Sequence, residues 1–275
     1  MKTMPEKVIV VSGGAGGIGS AIVKKLANAE RTVVVVADIA GDGTKSDNIY
    51  YRKLDVTNVV SMLLFCNWLM DKFGFITDFV SLAGGALPKH WQGTSSGEWG
   101  GLEDTDTATI AESVNLNLTS HITFTKNLIP LFKKAKGKDK SITFIASINA
   151  LRDYWLPAYS AAKAGLINLA QTLAVDLGRR YDIRVNTICP GTVPTPRTLT
   201  EPKNFGKLLK GTAAKRFATP ADIAATVAYI MECRGITGST IVVDGGQEAV
   251  SPYSLEPKGW GKDCAKAWRT QKCQI

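Results

Sequence analysis

At 275 residues, 45% hydrophobic and 21% charged, the chain is long enough for one large or two small domains around a substantial core. No apolar run reaches membrane-spanning length, the first seven residues lack the apolar core of a signal peptide, and five scattered cysteines without a C-x-x-C pair support neither a metal site nor a disulfide framework. The net charge of +9 is compatible with nucleic acid or with an anionic cofactor or substrate, but the densest basic run, residues 133–140, has no interleaved aromatic and reads as a solvated helix end. A cytoplasmic protein with reduced thiols and no membrane or nucleic-acid partner is the expectation.

Taken in order, residues 7–12 form a buried strand, because Val8 to Val11 are an unbroken apolar run. The turn Ser12-Gly13-Gly14-Ala15-Gly16-Gly17-Ile18-Gly19 follows, and then a helical pattern to residue 29. Strand, glycine-rich turn and helix together make a dinucleotide site credible, since glycines let backbone amides approach a pyrophosphate at a helix N-terminus. Three registers fit: Gly14, Gly16 and Gly19; Gly13, Gly16 and Gly19; or Gly13, Gly17 and Gly19. A second strand, 32–37, leads to Asp38, 19 residues beyond Gly19. A carboxylate about 20 residues on hydrogen-bonds the adenosine ribose and repels a 2′-phosphate. Asp38 therefore points to NAD over NADP, although it would equally cap the turn before Gly41-Asp42-Gly43.

A third strand is expected at 50–54, ending before Asp55 and Val56, then a helix from about 58 to 73. Asp55 or Thr57 would cap that helix. The fourth strand, 78–82, runs into Ala83-Gly84. The polar stretch 86–106, with His90, Trp91 and Trp99, is long for a loop and follows a strand where open α/β sheets bind ligands. It is expected to wall a substrate pocket, with no role for His90. Residues 110–132 are helical in pattern and carry Asn117 in the interior, where asparagine is mildly unfavourable. The fifth strand, 141–146, precedes Ser147. After the loop 148–158, with Arg152 to Trp155 placed for substrate contact, comes Tyr159-Ser160-Ala161-Ala162-Lys163. Tyrosine and lysine four residues apart share a helix face. An ammonium beside a phenol lowers its pKa from about 10, so that the tyrosine can exchange a proton with an alcohol or ketone.

The sixth strand, 182–188, leads into Cys189-Pro190-Gly191-Thr192-Val193-Pro194-Thr195. A basic stretch at 198–216 follows, then a helix over 220–231 with Thr219 as N-cap. The last strand ends in Val243-Asp244-Gly245-Gly246. Strands alternate with helices throughout. The fold class is therefore α/β: a single doubly wound parallel sheet of about seven strands, a Rossmann fold with helices on both faces. Residues 1–250 would form the nucleotide-binding domain that includes the active site, and 251–275 a C-terminal extension whose Trp260 and Trp268 suggest packing on the body or on a neighbouring subunit.

Tyr-x-x-x-Lys, the glycine-rich turn, Asn117-Leu118-Thr119, Pro190-Gly191 with Thr195, and Val-Asp-Gly-Gly together resemble the short-chain dehydrogenase/reductase family, from about residue 7 to 246. The short length and the last two motifs favour its single-domain branch, and with it the register Gly13, Gly17, Gly19. The resemblance implies an NAD-dependent oxidoreductase interconverting a secondary alcohol and a ketone, acting as a homotetramer or homodimer. By that resemblance Tyr159 exchanges the proton, Lys163 lowers its pKa and binds the nicotinamide ribose, Ser147 orients the carbonyl and Asn117 holds a relay water. Ser147 lies 12 residues before Tyr159, one fewer than the family spacing. Cofactor contacts are implied at Gly13, Gly17, Ile18, Gly19, Asp38, Asp55, Val56, Ala83, Gly84, Tyr159, Lys163, Pro190, Gly191, Val193 and Thr195, with no metal. The family usually has Asn-Asn-Ala-Gly where this chain has Ser81-Leu82-Ala83-Gly84. Two other readings of such a chain are an epimerase or dehydratase that retains its NAD, and a dinucleotide-binding sensor without catalysis.

Overall fold

The computed structural model describes residues 5–87, 102–103, 105–152, 156–196, 198 and 209–250. Eight strands form one sheet: β1 (Lys7–Ser12), β2 (Thr32–Asp38), β3 (Lys45–Ser46), β4 (Ile49–Lys53), β5 (Asp78–Ser81), β6 (Lys140–Ile145), β7 (Ile183–Pro190) and β8 (Thr240–Val243). Their spatial order is β3-β4-β2-β1-β5-β6-β7-β8. All pairs are parallel except β3 with β4. The strand beyond the expected seven is β3, two exposed residues that carry no apolar signal.

The helices divide between the faces. Helices α2 (Val59–Phe73), α4 (Ser120–Lys134) and α5 (Pro157–Tyr181) close one core with Val8, Val10, Phe79, Ile142 and Val185. Helices α1 (Gly17–Ala27) and α6 (Pro220–Glu232) close the other with Ile9, Val11, Val34, Val36 and Ile188. Consecutive strand residues thus enter opposite cores, which is why the strands read as unbroken apolar runs. Helix α6 begins in a reciprocal capping box, with the Thr219 side chain accepting from Asp222 N–H and the Asp222 carboxylate from Thr219 N–H. Asn58, not Asp55 or Thr57, caps α2 by accepting from Ser61 N–H at 3.0 Å. Asp182 lies outside β7; its φ of +56° ends α5 instead.

The chain crosses the sheet from β4 to β5, so that β1 lies between β2 and β5. This reversal opens a crevice at the carboxyl ends of β1 and β5, where doubly wound sheets take ligands.

Candidate active site

The glycine-rich turn sits at that crevice. A Cβ on Gly19 would lie 2.2 Å from the Gly13 carbonyl oxygen, one on Gly17 2.8 Å from the Thr195 side chain, and one on Gly13 2.9 Å from the Ala83 backbone. A Cβ on Gly16 would meet nothing closer than 3.5 Å, ordinary van der Waals contact. Both other registers require Gly16; Gly14, also tight, abuts Val36 on the core side at 2.9 Å. The turn and the amino end of α1, with Ile18 half-buried in its first turn, form a cradle that side chains would fill. Such a cradle fits a pyrophosphate.

Asp38 ends β2 beside this turn. Its Oδ2 accepts from Ala15 N–H and its Oδ1 from Ala40 N–H, both at 3.0 Å. The carboxylate therefore both caps its own turn and fastens the glycine loop. Asp55 is turned to its own loop instead: Oδ1 accepts from Thr57 N–H at 2.8 Å and from the Thr57 hydroxyl at 2.6 Å. Val56 is buried in the core.

Asn117, Tyr159 and Lys163 converge on the other side of the crevice. Asn117 lies in a π-helical turn, Asn115–Thr119, between α3 (Thr107–Val114) and α4. Such turns concentrate at functional sites. Its Oδ1 accepts from Gly85 N–H at 2.8 Å, and its Nδ2 donates to the carbonyls of Gly85 and Ser113 at 3.1 and 3.0 Å. Lys163 is 3% exposed, and its Nζ donates to the Ile145 carbonyl at 3.1 Å. That Nζ is 5.7 Å from the centre of the Tyr159 ring. Gly84, at φ +146°, passes between these groups, and a Cβ there would lie 2.7 Å from Asn117 Oδ1 and 3.6 Å from Lys163 Nζ. Burial pushes the Lys163 ammonium down to about 8, against a smaller opposing effect of Cys189. Leu156, immediately before Pro157, has φ +58°, a strained conformation at the start of the helix that carries Tyr159 and Lys163.

Ser147 follows β6 and caps a short 3-10 turn, Ile148–Ala150. Its Oγ accepts from Asn149 N–H at 3.2 Å and donates to Asn149 Oδ1 at 3.1 Å. Pro190 ends β7, and a Cβ on Gly191 would meet Asp244 at 2.5 Å. Val193 is buried, and its carbonyl accepts from the Thr198 hydroxyl at 2.9 Å. Thr195 N–H donates to the Thr198 hydroxyl at 2.8 Å. The segment after β7 is thereby laid against Gly17.

The replaced Asn-Asn pair raised the question of how the end of β5 is held. Ser12 Oγ accepts from Leu82 and Ala83 N–H at 3.1 and 3.3 Å, Asn117 clamps Gly85, and Ser81 Oγ shares a 2.6 Å hydrogen bond with His121 Nδ1. By its own position His121 gives no signal in the sequence, being a single histidine in an amphipathic helix. Its signal was the Ser81 substitution itself, which leaves a polar partner to be found. The imidazole is 2% exposed, its Nε2 has no hydrogen-bond partner among the described residues, and burial, helped by the nearby Lys163 charge, holds its pKa well below the usual value. The unfolded chain therefore takes up this proton first as the pH falls. Stability is present above the ordinary histidine range and is lost below about pH 6.5, at up to about 1.4 kcal/mol per pH unit. Urea unfolding of the wild type and of His121→Leu across that range will show the loss in the wild type and a flatter acid limb in the variant.

His90, Trp91, Trp99, Tyr154, Trp155, the body of the basic stretch and the 251–275 extension lie outside the described residues. A cavity of about 460 Å³ opens at the opposite, amino end of β6 and β7. Its basic groups are engaged structurally: Arg184 donates to the carbonyls of Ile230, Met231, Cys233 and Ile236, and Lys140 to that of Tyr181. The convergent polar groups lie at the carboxyl end.

Comparison with known proteins gives one consistent result. A family model described as enoyl-(acyl carrier protein) reductase matches residues 13–248. The 7alpha-hydroxysteroid dehydrogenase of Bacteroides fragilis is 28% identical over 92% of this chain and 98% of its own. The trans-4-hydroxycyclohexanecarboxylate dehydrogenase of Sinomonas cyclohexanicum is 30% identical over 89% and 93%. Among solved structures, an oxidoreductase of the short chain dehydrogenase/reductase family from Burkholderia thailandensis superimposes with a TM-score of 0.77, at 29% identity, covering 92% of this chain and 97% of that one.

Proposed function

Because the chain belongs to the short-chain dehydrogenase/reductase family, we propose that it is an NAD(H)-dependent oxidoreductase that interconverts a secondary alcohol and a ketone. The relatives include dehydrogenases of a hydroxysteroid and of a hydroxycyclohexanecarboxylate. The observation that carries the catalytic reading is the buried Lys163 ammonium, held one helical turn from Tyr159 against Gly84 and Asn117. Placing a cation out of water costs several kcal/mol. A charge retained there at that cost has work to do on its neighbour.

The nicotinamide dinucleotide supplies the hydride acceptor or donor when bound. Gly13, Gly17, Ile18 and Gly19 would hold its pyrophosphate, Asp38 its adenosine ribose, and Ala83, Gly84, Lys163 and the segment Pro190, Gly191, Val193 and Thr195 its nicotinamide end. Asp55 and Val56 would border the adenine through the backbone, since the Asp55 carboxylate is engaged by Thr57. Tyr159 takes the hydroxyl proton of the alcohol during oxidation and returns it to the ketone oxygen during reduction. Lys163 stabilises the phenolate by its charge. Ser147 turns its hydroxyl from Asn149 Oδ1 to donate to the substrate oxygen. Asn117 keeps Gly84 and Gly85 in place beneath the lysine and borders the path by which the proton reaches solvent.

The preference for NAD rests on Asp38, whose carboxylate lies at the glycine turn and would repel a 2′-phosphate. Titration with NADH and NADPH, followed by nicotinamide fluorescence, is expected to give tighter binding of NADH by at least about tenfold, roughly 1.4 kcal/mol. Asp38→Ser narrows that gap. Tighter NADPH binding would reverse the assignment and turn attention to Lys53, the strand neighbour of Asp38 in the register. Binding of neither nucleotide would overturn the cofactor reading.

A further inference from the structure

Arg152 is a charged group that the proton-transfer machinery leaves without a task. It follows the 3-10 turn that starts at Ser147, and its N–H donates to the Ile148 carbonyl at 3.2 Å, so the side chain leaves the loop five residues from that hydroxyl. Its Nε donates to Glu248 Oε1 at 2.7 Å. Glu248 is itself anchored. Its N–H donates to Asp244 Oδ2 at 2.5 Å, and the neighbouring Gln247 Oε1 accepts from Thr192 N–H at 3.0 Å. The ion pair therefore ties the loop that leads from Ser147 to Tyr159 with the turn after β8, which Gln247 joins in turn to the segment that follows β7 and would border the nicotinamide.

From this geometry we infer that Arg152 selects substrates, and that the preferred secondary alcohol or ketone carries a carboxylate. The inference rests on the dehydrogenase reading above and names its substrate class. Three observations support it. First, Glu248 engages Nε, and among the described residues it is the one side-chain partner of Arg152. Among the described residues nothing else engages Nη1 and Nη2, and a guanidinium edge pairs with a carboxylate through two parallel hydrogen bonds. Glu248 thus orients the fork without filling it. Second, the pair is half-exposed, with side chains 45% and 28% accessible, as a group meeting a solute from solution must be. Third, the surroundings are basic. Ala214 N–H donates to the Gly245 carbonyl at 2.8 Å, which brings the segment bearing Lys210, Lys215 and Arg216 onto the Asp244–Glu248 turn. Of the acids there, Asp244 is engaged by the backbone of Gly246 and Glu248, and Asp222 is paired with Arg216 at 3.2 Å. Among the described residues this rim carries more basic than acidic groups, Arg152, Lys210, Lys215 and Arg216 against Asp222, Asp244 and Glu248, and so favours an approaching anion.

The test uses matched pairs that differ only in charge: 3-hydroxybutanoate against 3-hydroxybutanamide, and 3-hydroxycyclohexanecarboxylate against its carboxamide, assayed by NADH formation with the full chain. The wild type is expected to favour the carboxylate in kcat/KM by at least about tenfold. Arg152→Ala should collapse that ratio towards one, and Arg152→Lys should restore part of it, as a point charge without the fork does. NADH titration of each variant verifies that the fold and the cofactor site are intact. A wild type that turns over the amides as well as the acids retains the dehydrogenase reading and loses the inference. So does a preference that survives Arg152→Ala. Turnover of no member of either set would count against both.

Discussion

Tyr159→Phe is expected to lower kcat by about 10²–10⁴, the usual contribution of a positioned acid–base group, while NADH binds as it does to the wild type. The ring contact with Lys163 survives this change, because phenylalanine presents the same ring and loses only the hydroxyl. The loss therefore isolates proton transfer, roughly 3–5 kcal/mol of transition-state stabilisation. Lys163 would remain buried with Ile145 as its acceptor. A variant that turns over at the wild-type rate would remove Tyr159 from the mechanism and leave the buried ammonium without its proposed task.

Gly19→Ala and Gly16→Ala should differ sharply although the two glycines stand three residues apart. The new methyl group at 19 would sit 2.2 Å from a backbone oxygen of Gly13, a distance that only a shift of the turn can relieve. Overpacking of this kind costs about 1–3 kcal/mol or more. The displaced backbone is also the one that would cradle the pyrophosphate, so NADH affinity should fall by at least about tenfold, together with a lower melting temperature. At position 16 the methyl has 3.5 Å of room, and both quantities should stay close to wild type. Equal behaviour of the two variants would show that the glycine pattern serves something other than close approach. Isothermal titration with NADH and a thermal melt decide between these outcomes.

The alternation of apolar strands with amphipathic helices makes the layered sheet legible in the sequence, since each buried strand needs two apolar faces and each helix one. The limits of legibility are local. The π-helical turn around Asn117 has no periodic signature, because it inserts one residue into an otherwise regular helical pattern. The edge pair of β3 with β4 is two residues long and exposed, so burial never marked it. Asp55 illustrates a different limit. A carboxylate after a strand suits both a ligand and a turn, and only the 2.6 Å contact with Thr57 shows which partner it has in this structure.

The chain alone determined the fold class, the strand–turn–helix unit at its start and the pairing of Tyr159 with Lys163, because these depend on residues adjacent in sequence and on the fixed periods of helix and strand. Which glycines stand in close approach is a matter of distance between segments remote in sequence: Gly17 must clear Thr195, and Gly13 must clear Ala83. Tertiary structure likewise decided how the end of β5 is held without its asparagines, through Ser12, His121 and Asn117, and which anion Arg152 meets. Neither His121 nor Glu248 lies near its partner along the chain. Periodicity encodes which face a side chain occupies, but a hydrogen bond across 40 or 96 residues exists only once the sheet has brought its strands together.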